Sequence, residues 1–438
     1  MRPVLTPEQA QCFRRDEVLR YTGKAGADRL DPWFPRIGAA KSLVPDFVVG
    51  PASDFPTIQA ALNHIADLRH PHGRLVIGVK PGRYEGLVYV PRGVGALTII
   101  GLGADREDVL IHENIDAEMT GREYRTRFSS QFAHAPKAVR EIFERIGARG
   151  FITTANASVM RVEADDLELI NLSVRNTYNC DRDQDSSSDR NAFGQFAKGQ
   201  HQAVALLSAG ADRLLVKFVR LRSFQDTLYL QSPHKGWTVR SCLVDCDIEG
   251  DVDFIFGQST AWFEGCTIRS LGSRAPQSWV TAPSTDIRTR YGFVFDTCEF
   301  CHDGSERANN ARMSLGRQWF EGVRATPYPG STIEGYRCDL GPLSSYDPPR
   351  GKISKTTLES VGKCVIQNSR IGRHINMEQP WDHWGGNSWN PRYRPAQYKA
   401  RDMFQHLGPW LKEQGLSYQD IDPDMTFLAE YNNVASDL

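Results

Sequence analysis

Asp253 stands inside an apolar run, between Val252 and Phe254, Ile255 and Phe256. An unpaired carboxylate in such surroundings is expensive, so the charge must be paired, hydrogen-bonded or neutralised. A buried acid with a displaced pKa is what a nucleophile or general acid requires; the alternative is a strand-end aspartate that caps a turn. Asp226 lies 27 residues earlier, in the segment FQDTLYL. If such segments stack, the two carboxylates meet on adjacent layers. Two acids that close cannot both ionise cheaply, and one is pushed up in pKa and keeps its proton. Arg317, in MSLGRQWFEG, is the residue type that holds an ionised carboxylate through two parallel hydrogen bonds. Its alternative is a surface ion pair, worth under about 1 kcal/mol.

The elements that position these residues come from a loose repeat. From about residue 157 the segments LELINLSVRN, LLVKFVRLRS, WTVRSCLVDCDI, AWFEGCTIRS and GFVFDTCEF are short, rich in β-branched and aromatic residues, and separated by turns, and CVIQNSRIG is a further copy. Variable spacing suits the coils of a solenoid whose loops differ in length. Cys246, Cys266 and Cys298 occupy one place in successive copies, which predicts buried thiols stacked in layers. The fold class is therefore all-β, a single-domain right-handed parallel β-helix at residues 45–385, with an N-terminal extension (1–44) and a C-terminal tail (386–438) that folds back on the solenoid. PTIQAALNHIADL, with Ile58, Ala61, Leu62 and Ile65 on one stripe, predicts an N-terminal capping helix, with Ser53 and Asp54 near its start. Two insertions interrupt the pattern. Residues 113–150 carry Val139, Ile142, Phe143 and Ile146 at helical spacing, and residues 176–199 hold CDRDQDSSSDRNAFGQ. The second lacks the sixth-position Gly and closing Glu of a calcium loop and is expected as a solvated loop.

The bulk numbers exclude some classes. At 438 residues, 40% hydrophobic and net charge −1, the whole-molecule field neither steers the protein to nucleic acid nor repels acidic substrates. No apolar run is long enough for a transmembrane helix. MRPVLTPEQAQCFRRDEV lacks a signal-peptide core, which leaves a cytoplasmic protein or an absent leader both open. The nine cysteines have no metal-type spacing.

Four segments, HQAVALL, FQDTLYL, DVDFIFG and MSLGRQWFEG, in this order, resemble the signature blocks of the pectin methylesterases, the family 8 carbohydrate esterases. DFPTIQAAL with KPGRYEG resembles that family's opening coil, and the resemblance spans roughly residues 45–385. It implies a parallel β-helix without metal or cofactor. It assigns Asp253 as nucleophile, Arg317 as its partner, Asp226 as acid and then base, and Gln202 and Gln225 as donors to the oxyanion. Trp319 and Trp381 match its cleft tryptophans, and Tyr229 and Phe256 are expected at the cleft wall. For Gln202 and Gln225 the alternative is a polar ladder on an exposed face; for Trp381 and Trp384 it is tail packing.

Three departures accompany the resemblance. Gln318 replaces the usual proline, which would loosen the loop behind Arg317. Asp251 replaces a small residue and reads as a solvated turn acid. The insertions could roof the cleft. The resemblance implies a monomeric ester hydrolase of methyl-esterified galacturonan or its oligomers, secreted, periplasmic or bound to the outer envelope. A thioesterase or non-pectic esterase on the same frame is the alternative, and a non-catalytic carbohydrate-binding β-helix the third. A lyase would need a calcium-binding acidic cluster and a cationic base, and neither is evident.

Overall fold

The computed structural model describes residues 2–37, 43–68, 73–182, 190–192, 194–196, 201–274, 277–320, 325–328, 337–341, 345–347, 350–385 and 393–436. Three long parallel sheets run the length of the molecule. Sheet I has ten strands, from Phe47–Val49 to Leu428–Tyr431; sheet II has nine, from Gly82–Glu85 to Val434–Ser436; sheet III has eight, from Val88–Val90 to Trp381–Asp382. The chain visits I, II and III in turn, so each circuit adds one strand to each sheet. That order is a parallel β-helix.

In-register pairing stacks like on like. Leu243, Phe263, Phe295 and Ile366 form one inward row of sheet I, and Phe263 and Phe295 stack at 4.2 Å. The corner from sheet I to sheet II passes through one left-handed residue in most coils: Asn171, Phe218, Asp245, Gly265, Thr297, Asn368 and Asn432 all have φ between 50° and 62°. Asn, Asp and Gly tolerate that conformation best, which explains their recurrence there. The next residue in three successive coils is Cys246, Cys266 or Cys298, and each is a buried free thiol. Their strands pair in register at Asp247, Thr267 and Glu299, so the thiols stack as small hydrophobes.

The helix Ile58–Asp67 packs on the first strands, with Thr57 as its N-cap and Ile58, Ala61, Leu62 and Ile65 buried. Asp54, expected near the helix start, instead accepts from the Val48 backbone N–H at 2.8 Å. The first insertion forms two helices, Gly121–Phe132 and Lys137–Gly147, that join the main core. Phe132 stacks on Tyr89 at 5.0 Å and the Tyr89 and Tyr124 hydroxyls meet at 2.6 Å. This insertion therefore packs on the first strand of sheet III, with its apolar stripe consumed in the core. Much of the second, including 183–189, lies outside the described residues.

The ends of the chain differ from the outline drawn from sequence. After the helix Ala400–Glu413, which buries Met403, Leu407, Trp410 and Leu411, strands Leu428–Tyr431 and Val434–Ser436 re-enter sheets I and II as their last members. The tail thus adds a partial coil instead of only lying along the outside. The N-terminal extension runs over the outer face of sheet I, where Leu5, Ala10, Val18 and Leu19 cover Leu215, Cys242, Trp262, Val294, Val365 and Ala429.

Candidate active site

The site lies on the outer side of sheet III. Strands Leu228–Gln231 and Ile255–Gly257 are parallel neighbours, with Leu228 opposite Ile255 and Tyr229 opposite Phe256. The same offset puts Asp226 and Asp253 at equal positions ahead of their strands, and Asp226 N donates to Val252 O at 3.1 Å. Both aspartates are left-handed, φ 69° and 50°. Non-glycine residues in that region are uncommon and concentrate where surrounding structure holds them for function. Gly257 closes the block because a Cβ there would sit 2.1 Å from Leu230 O.

Arg317 reaches Asp253 with two parallel hydrogen bonds, Nε to Oδ1 at 2.9 Å and Nη2 to Oδ2 at 2.7 Å. The pair is largely covered, with side chains 16% and 11% exposed. Among the described residues Asp226 has no such partner. Burial, and then the Asp253 charge, push its carboxyl well above the usual carboxylate range, while Arg317 pulls the other way. The surroundings thus favour the proton on Asp226 and set Asp253 against a cation.

Gln202 and Gln225 pair as an isolated parallel bridge one coil apart, with Ala203 N donating to Gln225 O at 3.1 Å. Both are only partly buried. Tyr229 and Phe256 stack at 4.1 Å, and Trp319 stands edge-on to both at 6.3 and 5.6 Å. Tyr229 and Phe256 are almost fully covered, and Trp319 packs against them partly buried.

Three expectations are corrected. Trp381 is 3% exposed and belongs to the main core, with Gly316 as its strand partner, so it is not at the cleft surface. Asp251 is not a solvated turn acid. It is fully buried, and Arg274 clasps it with Nε to Oδ2 at 2.7 Å and Nη2 to Oδ1 at 3.0 Å. Gln318 does not loosen its loop: it is buried, donates to Gly362 O at 3.2 Å and accepts from Gln397 N at 2.8 Å. Among the described residues neither insertion roofs the site: the first touches it through Ala117 N, which donates to Gln202 O at 3.0 Å, and the described part of the second brings Cys180 beside Arg274.

Sequence reasoning also missed what surrounds the guanidinium. The Arg317 guanidinium carbon lies over the Trp279 ring at 3.7 Å from its centre and over the Trp384 ring at 4.5 Å. The signal for Trp279 was its place at the start of a sheet III strand, one coil before Arg317. No group of three or more His, Cys, Asp or Glu side chains among the described residues is placed to hold a metal.

A parallel β-helix with two stacked carboxylates and a forked arginine on one outer face is the frame of a solenoid hydrolase. The pectinesterase family model matches residues 190–331, the stretch that holds all five polar site residues. Pectinesterase B of Dickeya dadantii is 31% identical over 404 residues, covering 87% of this chain and 89% of that protein. A putative acyl-CoA thioester hydrolase of Escherichia coli, YbhC, is 28% identical over 67% of each. The solved rice weevil pectin methyl esterase has the same fold, with TM-score 0.73 at 24% identity, over 100% of this chain and 98% of that one. The chain belongs to the pectinesterase family, and is a carboxylic ester hydrolase.

Proposed function

We propose that the protein demethylates methyl-esterified galacturonan or its oligomers through an acyl-enzyme on Asp253. The observation that carries the reading is the two-pronged Arg317–Asp253 contact with a proton-holding Asp226 one coil away. Asp253 attacks the ester carbonyl carbon, and the carbonyl oxygen becomes an oxyanion that the side-chain amides of Gln202 and Gln225 stabilise. Collapse breaks the bond to methoxide, which leaves as methanol with the Asp226 proton. Water then attacks the mixed anhydride, gives its proton to Asp226 and releases galacturonate, restoring the Asp253 carboxylate. No step calls for a metal. Trp319, only partly buried, offers an indole to a sugar face.

The solenoid from about residue 45 carries this chemistry, with the helix Ile58–Asp67 closing one end and Ala400–Glu413 covering the other. We take its coil as right-handed, the hand of nearly all parallel crossovers. The protein works as a monomer outside the cytoplasm; among the described residues no helix is long and apolar enough to cross a membrane. A thioester substrate is the second reading, favoured by the likeness to the E. coli protein. Parallel assays on methylated polymer, methylated oligogalacturonate and an acyl-CoA separate the two. Methanol release from the galacturonates without added metal is expected, and turnover of acyl-CoA alone would replace this reading with the second.

A further inference from the structure

The catalytic arginine is held by more than its carboxylate. Its strand, Ser314–Arg317, lies in sheet III between Trp279–Pro283 and Trp381–Asp382. Each neighbour sends one indole to the guanidinium: Trp279 at 3.7 Å on one side and Trp384, just past its strand, at 4.5 Å on the other. The Trp279 ring is itself fixed, because its Nε1 donates to Asp382 Oδ2 at 2.8 Å, and Asp382 is the strand partner of Arg317. The Trp384 backbone pairs both ways with Arg394, N to O at 2.8 Å and 3.0 Å. Arg394 is fully buried. Gln318, the next residue after Arg317, is pinned by Gly362 and Gln397. Gly362 and Gln397 therefore fix the backbone after the arginine, while Asp382 and Arg394 fix the indoles against its side chain.

We propose that Trp279 and Trp384 are positioning residues that clamp the Arg317 guanidinium flat, so that its fork stays on Asp253. A guanidinium is planar and weakly hydrated, and stacks well on indoles. Two stacked rings leave it only in-plane directions for hydrogen bonding, and the in-plane direction taken is Asp253. Both tryptophans are partly buried, and Trp384 also packs against the main core, so each Ala variant is checked for folding by thermal melting. The indoles act through Arg317, not on the ester.

This inference rests on the proposed roles of Asp253 and Arg317, and its test separates the two. Trp279→Ala, Trp384→Ala and the double variant are compared with Trp279→Phe, Trp384→Phe and Arg317→Ala over a pH series on methylated oligogalacturonate. With the clamp removed the fork is lost part of the time. The double Ala variant is expected to lose kcat by about tenfold or more, since small misplacements at a reacting centre are costly. Phe restores most of the lost kcat, because a ring face remains. If the Ala variants raise KM but leave kcat unchanged, the indoles are sugar platforms and the clamp is wrong. If they change nothing while Arg317→Ala is inactive, the clamp is likewise wrong and the function stands. If Arg317→Ala itself keeps full turnover, the proposed function fails, and the clamp with it.

Discussion

Asp226 and Asp253 are the same residue type in similar turns, yet their surroundings pull them apart. Asp253 meets a guanidinium at 2.7 Å and 2.9 Å, whereas Asp226 meets burial and its neighbour's charge, both of which raise its pKa. Two consequences follow for pH. As the proposed general acid, Asp226 must carry its proton, so turnover is expected to fall as pH rises through its raised value. For stability the sign is that of a raised carboxyl: its contribution is complete below the usual carboxylate range and is lost as pH rises through the folded-state value. Asp226→Asn is therefore expected to lower kcat about 10²–10⁴-fold while raising the thermal midpoint at alkaline pH relative to wild type. Calorimetry and methanol release on one preparation check both signs. The carboxylates, the arginine and the glutamines were legible from residue type and from blocks in fixed order. Asp251 was misread because its partner Arg274 lies in a turn, with no pattern to announce a buried pair.

At the scale of the element, glycine and register decide. Gly257 has φ 130°, and an added Cβ would lie 2.1 Å from Leu230 O. Gly257→Ala must therefore distort the strand that follows Asp253, costing about 1–3 kcal/mol in backbone strain and displacing the carboxylate. A fall in both thermal midpoint and kcat is expected. The strands were readable because the copies share one short apolar pattern, and three successive copies share a cysteine place. Trp381 was not, because a tryptophan near a cleft motif and one packed inside against Gly316 look alike in sequence; only strand register separates them. The helices of the first insertion were half legible. Lys137–Gly147 shows its stripe, but Gly121–Phe132 is polar enough to pass for a loop, and what holds it is the set of rings at Tyr89, Tyr124, Phe128 and Phe132.

For the whole molecule, the N-terminal extension and the C-terminal strands meet on the last coil. Val4 bridges to Glu430, and Arg2 pairs with the Glu430 carboxylate. Arg240, fully buried, ties the extension to the solenoid through Asp31 at 2.9 Å and Asp212 at 2.7 Å. The extension was not legible as a cover for sheet I, since its apolar residues are few and widely spaced. Its covering role gives a separable prediction. Leu19→Ala removes a fully buried contact on sheet I, far from the sheet III site, and is expected to cost about 2–5 kcal/mol with kcat per folded molecule unchanged. Denaturant titration alongside the methanol assay reads the two independently.

The most direct test of the account is methanol release from methylated oligogalacturonate by Asp253→Ala beside wild type, with folding checked by thermal melting. The account predicts a variant that melts as one cooperative unit and releases no methanol above background. A folded Asp253→Ala protein that releases methanol at the wild-type rate would contradict it.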